Sequence, residues 1–454
     1  MIHRLQTPLG HLTFRPLFGR QIRAPRLNLP KLRVLPCDKL VLLQGYHCKT
    51  FEMSSSKKRS RKYDNEGWLW KGVDGRKAIG TVEYAALVPD SSLVSSASKS
   101  ELLCTYDWQD KPTPTVLVPG HAPIWNHKPL PVTLPEDRGF YFVDQNAARL
   151  PEYSLEPIFH ATASLNPSFR FDDVDVVVNR NTLRKLLDFC KGTYLDSFRV
   201  NLFMVKNTLF IERCAQTTTE TVRENGGYGR TFEKSFTKTA GKSTGHHRVL
   251  RYPLGNLNCV VRFEVDACYQ ENQNIQPGDG GPSTGSLAAA IEGLNLNDPK
   301  EGDTKPSSLK IAKGSRLKSI FTAEEVTPQS MAAEIKTFTE KRGLRWHLKV
   351  PQLWFGRTPW LIAARHNNGT FDEINISHIK PEHFIDWEIQ YQDSLRKMVA
   401  VIIKLRDIVE KNKGLHCIAI FEKKQRPKVI TVYASSSPER EPLPKGLIEH
   451  FWAS

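Results

Sequence analysis

A chain of 454 residues with 64 Lys+Arg against 48 Asp+Glu carries a formal charge of +16 and a pI near 9.4, a balance that favours polyanionic partners. Residues 1–62 hold 14 basic and 2 acidic side chains, so most of the excess belongs to an N-terminal arm and the remainder carries only +4. Bulk charge is therefore no argument for nucleic acid, and the absence of any run near the roughly 18 apolar residues of a membrane helix excludes helical membrane insertion.

With 39% hydrophobic and 25% charged residues the chain is globular, long enough for about two or three domains. Its eight cysteines form no Cys-x-x-Cys pair and have no histidines at zinc spacing, so they read as reduced structural thiols inside the cell. Residues 1–66 read as a disordered basic arm. Before Asp38 it is Arg-rich and acid-free, like a mitochondrial presequence. Met53 then opens a second plausible start, followed by a nuclear-import-type cluster from Lys57 to Lys62. Nucleus, cytoplasm and mitochondrion all stay open.

Residues 67–139, rich in Ser, Pro and Thr with short apolar runs, predict an extended or strand-like wrap. A core over 140–433 follows. Its expected elements are a strand at Val174–Val178, a helix at Asn181–Cys190, and a hairpin of Arg199–Phe203 with Thr208–Glu212 closed by Lys206-Asn207. Further strands are expected at Cys259–Ala267, Ala332–Phe338 and Leu361–Ala364, then a long helix at Asp386–Lys411 and a last strand pair, Cys417–Phe421 with Val429–Tyr433. Residues 270–320 lack aromatics and are rich in Gly and Pro, predicting a disordered insertion, and 434–454 read as a C-terminal tail, loose until Phe451-Trp452. The fold class is α/β (α+β), a mixed β-sheet core flanked by helices.

In Arg262-Phe263-Glu264-Val265-Asp266 two carboxylates stand two residues apart, on one face of a strand and about 7 Å from each other. Ala333-Glu334-Ile335-Lys336 places a carboxylate and an ammonium in the same way. Each alone is an ordinary solvated face. As neighbouring strands they would assemble three carboxylates and a lysine, which suits Mg²⁺ or Mn²⁺ in oxygen coordination and phosphodiester hydrolysis. Glu233, after the glycine-rich turn Gly226, Gly227 and Gly229, adds a fourth carboxylate. Gln352 opens a helix and can reach a water or phosphate. Arg180, at a strand-to-helix junction, suits a phosphate.

The order of these pieces resembles the decapping exoribonuclease family, a branch of the Asp/Glu-x-Lys nuclease superfamily. The matching motifs are Arg180 with Lys185-Leu186-Leu187, Phe210-Ile211-Glu212, Gly229 to Glu233, Glu264-Val265-Asp266, Glu334-Ile335-Lys336 and Gln352. The resemblance implies a metal-dependent enzyme that removes caps or pyrophosphate from RNA 5′ ends, with onward 5′-to-3′ degradation in many members. It implies Glu264, Asp266 and Glu334 as metal ligands, Glu233, Lys336 and Gln352 in catalytic roles, and Arg180 on an RNA phosphate. The partners implied are an RNA 5′ end and a second nuclease. The bulky Leu353-Trp354-Phe355 after Gln352 departs from the family pattern and predicts a narrowed channel.

A contrasting reading is an inactive RNA-end-binding or scaffold protein of the same fold, but a site without function has no reason to keep like charges clustered. The chain also resembles fungal proteins labelled geranylgeranyl pyrophosphate synthetase. That chemistry needs two Asp-rich helical motifs in a helical bundle, and Asp172-Asp173-Val174-Asp175 stands alone in a strand-like segment. Gly241-Lys242-Ser243-Thr244 lacks the first glycine of a P-loop. His246-His247 read as structural or RNA-facing, Arg248 and Arg251 as a basic rim, and Trp346, Trp354 and Trp360 as core.

Overall fold

The structure, a computed structural model, describes residues 66–193, 196–239, 241–271 and 315–452. Residues 1–65 of the expected basic arm lie outside the described residues, as do residues 272–314 of the expected insertion.

Along the chain run β1 (Val73–Glu83), β2 (Glu101–Gln109), β3 (Thr115–Val118), β4 (Ile124–Trp125), β5 (Val132–Thr133) and β6 (Gly139–Phe142), then α1 (Gln145–Arg149) and α2 (Glu156–Leu165). The apolar run Val176-Val177-Val178 forms β7 (Val176–Asn179), buried on both faces as a parallel strand requires, and leads directly into α3 (Arg180–Cys190), whose Leu183, Leu186 and Leu187 face the core. The hairpin β8 (Phe198–Val205) and β9 (Thr208–Cys214) turns at Lys206, in the left-handed region at φ 52. Next come β10 (Thr219–Val222), α4 (Gly229–Phe236), β11 (Thr237–Lys238), β12 (Ser243–Leu254), β13 (Leu257–Glu264), β14 (Ala267–Cys268) and β15 (Lys318–Phe321). The chain closes with β16 (Ala332–Thr339), α5 (Trp346–Gly356), β17 (Trp360–Asn367), β18 (Thr370–His378), α6 (Ile385–Lys411), β19 (Cys417–Phe421), β20 (Val429–Ser435) and α7 (Lys445–Phe451).

The strands form an eleven-stranded mixed sheet in the order β1-β20-β19-β8-β9-β7-β13-β12-β2-β3-β15, a seven-stranded sheet β11-β4-β14-β16-β17-β18-β5, and a two-stranded ribbon β10-β6. Helices α3, α5 and α6 share one hydrophobic cluster with the large sheet; α2 and α7 share another on its other side. No helix among the described residues is long and apolar enough to cross a membrane.

Several sequence expectations need correction. The segment read as a wrap supplies β2, which lies inside the large sheet between β12 and β3 and buries Tyr106 and Trp108. Residues 315–320, assigned to the insertion, instead bury Leu317 and build β15 parallel to β3, because apolar side chains return at Leu317, Ile320 and Phe321. The tail is no loose end: α7 brings Phe451 and Trp452 against Phe159 and Phe171, and the Trp452 indole N–H donates to Thr208 Oγ1 at 2.9 Å.

Trp452→Ala removes an indole that is 2% exposed, and is expected to cost about 3–5 kcal/mol in urea unfolding. A cost within about 0.5 kcal/mol, the usual range for surface positions, would show that α7 is a peripheral attachment.

Candidate metal and phosphate site

The two acidic motifs do not meet as neighbouring strands of one sheet. Glu264 ends β13 in the large sheet; the chain then crosses at Val265-Asp266 and enters β14 of the smaller sheet, where Ala267 pairs with Ala333 of β16. Val265 still donates its N–H to His246 O of β12 at 3.1 Å. Three residues later Cys268 N–H donates to Pro123 O at 2.8 Å in the other sheet. Asp266 sits at this corner. Its Oδ2 accepts Ile335 N–H at 2.9 Å, so the carboxylate occupies a place that a ladder carbonyl would fill.

Glu334, 1% exposed, lies at the centre. Its Oε1 accepts from Lys336 Nζ and Gln352 Nε2, and its Oε2 pairs with Arg180 Nη1 at 3.2 Å. Lys336 Nζ also reaches Asp266 Oδ2 at 3.3 Å and Ile335 O at 2.8 Å. Arg180 donates its other terminal nitrogen to Glu264 O at 3.2 Å and lies 5.0 Å above the Phe263 ring. Arg180, expected on a phosphate, is here engaged with the Glu334 carboxylate and the Glu264 backbone carbonyl while still lining the cavity.

Glu233 comes from α4. Phe232 and Phe236 pack on Trp125, and Asp137 accepts the Arg230 and Thr231 N–H groups at 3.3 and 2.8 Å, fixing the helix start. Gly226 is required in the preceding turn, since a Cβ there would lie 2.0 Å from Asp137 O. Glu233 thereby joins Glu264, Asp266, Glu334, Lys336 and Gln352 around a cavity of about 360 Å³.

Adjoining it is a cleft of about 700 Å³, whose lining includes Glu233, Glu264, Asp266, Arg180, Arg184, Arg213 and Arg230. Arg213 pairs with Asp144 and Arg230 with Glu220. Arg184, one helical turn beyond Arg180, has no ion pair among the described residues. It is the guanidinium that motif reading missed; the i,i+4 spacing from Arg180 was the available signal.

The carboxylates are driven apart in acidity. Burial, then the Asp266 charge, pushes Glu264 up to about 7, and burial, then Glu334, pushes Asp266 up to about 6. Burial, then Asp266 and Glu264, raises Glu233 well above its ordinary value. Glu334 goes the other way, to about 2: against the cost of its burial, the Lys336 and Arg180 charges and the Lys336 hydrogen bond hold it ionised. Lys336 is raised by Asp266 and Glu334 in spite of burial.

An all-oxygen donor set under mutual repulsion suits a hard divalent cation, and the Lys336 ammonium already stands among these carboxylates as a monovalent counter-charge. Among the described residues no three acidic or His/Cys side chains stand together at ligand distance, so a cation would have to draw the carboxylates inward.

Other expected features lie elsewhere. Glu212 is buried with Asn201, Ser154 and Arg440, apart from the cluster. Leu353, Trp354 and Phe355 do not narrow the cleft: all three point into the core, and Trp354 donates to Glu388 at 2.6 Å. Arg248 forms no basic rim, being buried against His246 and Pro328 O, while Arg251 pairs with Asp173 and Glu101. His246 bonds Asp107 and His247 stacks on Tyr106, both buried. Trp354 and Trp360 are core, whereas Trp346 is 37% exposed.

A sequence profile described as "Domain of unknown function (DUF8563)" matches residues 76–452. The chain belongs to that family. No curated protein matches its sequence. Among solved structures it is similar to Rai1 of S. pombe in complex with 3′-FADP, at 10% identity and a TM-score of 0.45, over 78% of this chain and 98% of that one. Rai1 of Candida albicans in complex with pU5 and Mn²⁺ gives 11%, 0.47, 82% and 99%. Dxo1 of K. lactis with manganese gives 10%, 0.39, 79% and 96%.

Two predictions follow from the charges. A Glu264 carboxyl that keeps its proton to about 7 when folded, against 4.5 ordinarily, makes the metal-free fold lose stability as pH rises through that window. A divalent cation needs the ionised form, so the melting-temperature shift produced by Mn²⁺ is expected to grow from about pH 5.5 to about pH 8 and to level off above it. A shift independent of pH, or one unchanged in Glu264→Gln, would contradict the site. Arg180→Ala leaves Glu334 short of one cation and is expected to cost about 3–5 kcal/mol in denaturant unfolding; a near-neutral result would mean that the pair is not formed.

Proposed function

We propose that this chain is a Mg²⁺- or Mn²⁺-dependent hydrolase of phosphate linkages at RNA 5′ ends, removing caps or pyrophosphate, with 5′-to-3′ degradation as an extension of the same chemistry. The observation that carries the reading is the convergence of Glu233, Glu264, Asp266 and Glu334 on one cavity with Lys336 and Gln352. The motif series directs it to RNA 5′ ends.

Glu264, Asp266 and Glu334 would hold the cation, with Glu233 directly or through water. When bound, the ion supplies charge neutralisation, a more acidic water and a polarised phosphoryl oxygen. The protein's own groups do the rest. Glu334 stays ionised at every physiological pH and anchors the Lys336 ammonium, which is placed to orient a water or carry charge developing on phosphoryl oxygens. Gln352 can turn its amide from Glu334 to the same water. Arg184, Arg213 and Arg230, on the cleft lining, supply positive charge for the phosphates that follow, and Arg180 holds the acid cluster in register.

With 5′-triphosphorylated and capped RNA in Mn²⁺, wild type is expected to release pyrophosphate or cap. Glu264→Ala and Asp266→Ala should lower the rate by at least about 100-fold, and chelation should abolish it. Equal turnover by variants and wild type would remove the site assignment; binding without turnover by wild type would favour an RNA-end-binding protein.

A further inference from the structure

The cleft has a second wall that no hydrolytic step uses. The ribbon β6–β10 places Phe140, Tyr141 and Phe142 on its lining, continuous with Glu264, Asp266 and Gln352. Two of the three rings are already covered. Arg230 lies 3.8 Å from the Tyr141 centroid, and the Tyr141 hydroxyl donates to Arg138 O at 2.8 Å. Arg149 lies 5.2 Å from the Phe142 centroid. Phe140 touches Phe142 edge-on, centroids 5.3 Å apart at 83°, and remains 60% exposed. Its cross-strand neighbour is Thr221, too small to cover it.

We propose that this ribbon is a base-stacking wall for single-stranded RNA, with Phe140 as its platform; the inference rests on the RNA 5′-end reading above. Charge complementarity selects the occupant. Arg184 and Arg213 line the same cleft as the aromatic ribbon, and Arg230 lies on the ribbon's own Tyr141, so guanidinium groups that suit a phosphate backbone stand in one cleft with an exposed ring that can receive the π-face of a base. An apolar protein segment would gain from the rings but not from the guanidinium groups. A duplex would meet the guanidinium groups but keep its base faces stacked on each other. Only an unpaired strand satisfies both walls. A strand whose 5′ phosphates reach the carboxylates in this continuous cleft brings its first bases to the ribbon, so Phe140 distinguishes unpaired from paired 5′ ends without reading sequence.

The test measures binding by the full chain in Ca²⁺. The probes are a 5′-phosphorylated single-stranded RNA of about ten nucleotides carrying 2-aminopurine near its 5′ end, the same length as an abasic ribose-phosphate strand, and a blunt RNA duplex. Phe140→Ala is expected to weaken the single strand by about 5- to 100-fold and to abolish 2-aminopurine quenching. Phe140→Trp restores both, and the abasic strand and the duplex bind all three proteins alike. Equal loss on the single and abasic strands would mean a structural role, and unchanged single-strand affinity would mean no stacking; either result overturns the proposal. Manganese-dependent cleavage of a base-free phosphodiester, bis(p-nitrophenyl) phosphate, by wild type is assayed in parallel. Absence of that cleavage counts against the hydrolase reading and leaves the stacking result to be read separately.

Discussion

A carboxylate sealed from water needs partners for both of its oxygens, and at Glu334 those partners come from three different elements. Arg180 opens α3, Lys336 lies two residues along β16, and Gln352 sits in α5. Burial of an ion costs several kcal/mol, recovered only when geometry and hydrogen bonding are complete. The requirement therefore runs outward: Arg180 must project from the first residue of α3, which is why β7 passes into that helix without a loop. Gln352 must face away from Leu353, Trp354 and Phe355, which anchor α5 in the core. One buried charge thus ties three elements to a common point.

That charge also divides the acids into two kinds. Glu334 is pinned as an anion by two cations, whereas Glu264 and Asp266 face one another and hold protons toward neutrality. Groups whose environments push their acidities in opposite directions are suited to different tasks. Glu334 is a fixed electrostatic anchor. Glu264 and Asp266 are places where a proton and a metal compete.

Most of the regular core was legible because its periods are clean: the Val176–Val178 run, the leucines of α3, the long apolar face of α6 and the β8–β9 hairpin follow directly from side-chain spacing. Glu264, Asp266, Glu334 and Lys336 were legible as candidates as well, since they stand in two-residue alternations. Their mode of assembly was not, because the alternation through Glu264-Val265-Asp266 looks like one continuous strand while the chain changes sheets at its middle. Strand pairing between distant segments leaves no local mark. For the same reason Arg248 and Arg251 of β12 read as a basic rim. Its Arg248 is buried with bonds to His246 and backbone carbonyls, a tertiary solution that composition cannot announce. A guanidinium at a helix start fits a phosphate and a carboxylate equally well, so the pairing of Arg180 with Glu334 leaves no mark in the sequence.

The crossing at Asp266 has a bearing on how much the chain can vary. Ala267 pairs with Ala333, so the segment between them begins and ends at adjacent rungs of one ladder. Once both ends are held, the closure entropy of a connection grows slowly with its length, by only about 0.6 kcal/mol per doubling. The distance in sequence between Asp266 and Lys336 is thus nearly decoupled from their distance in space. Homologous chains could lengthen or trim this connection over a wide range while Asp266, Glu334 and Lys336 kept their positions, making the link a tolerant site for acquiring new sequence beside an unchanged chemical centre.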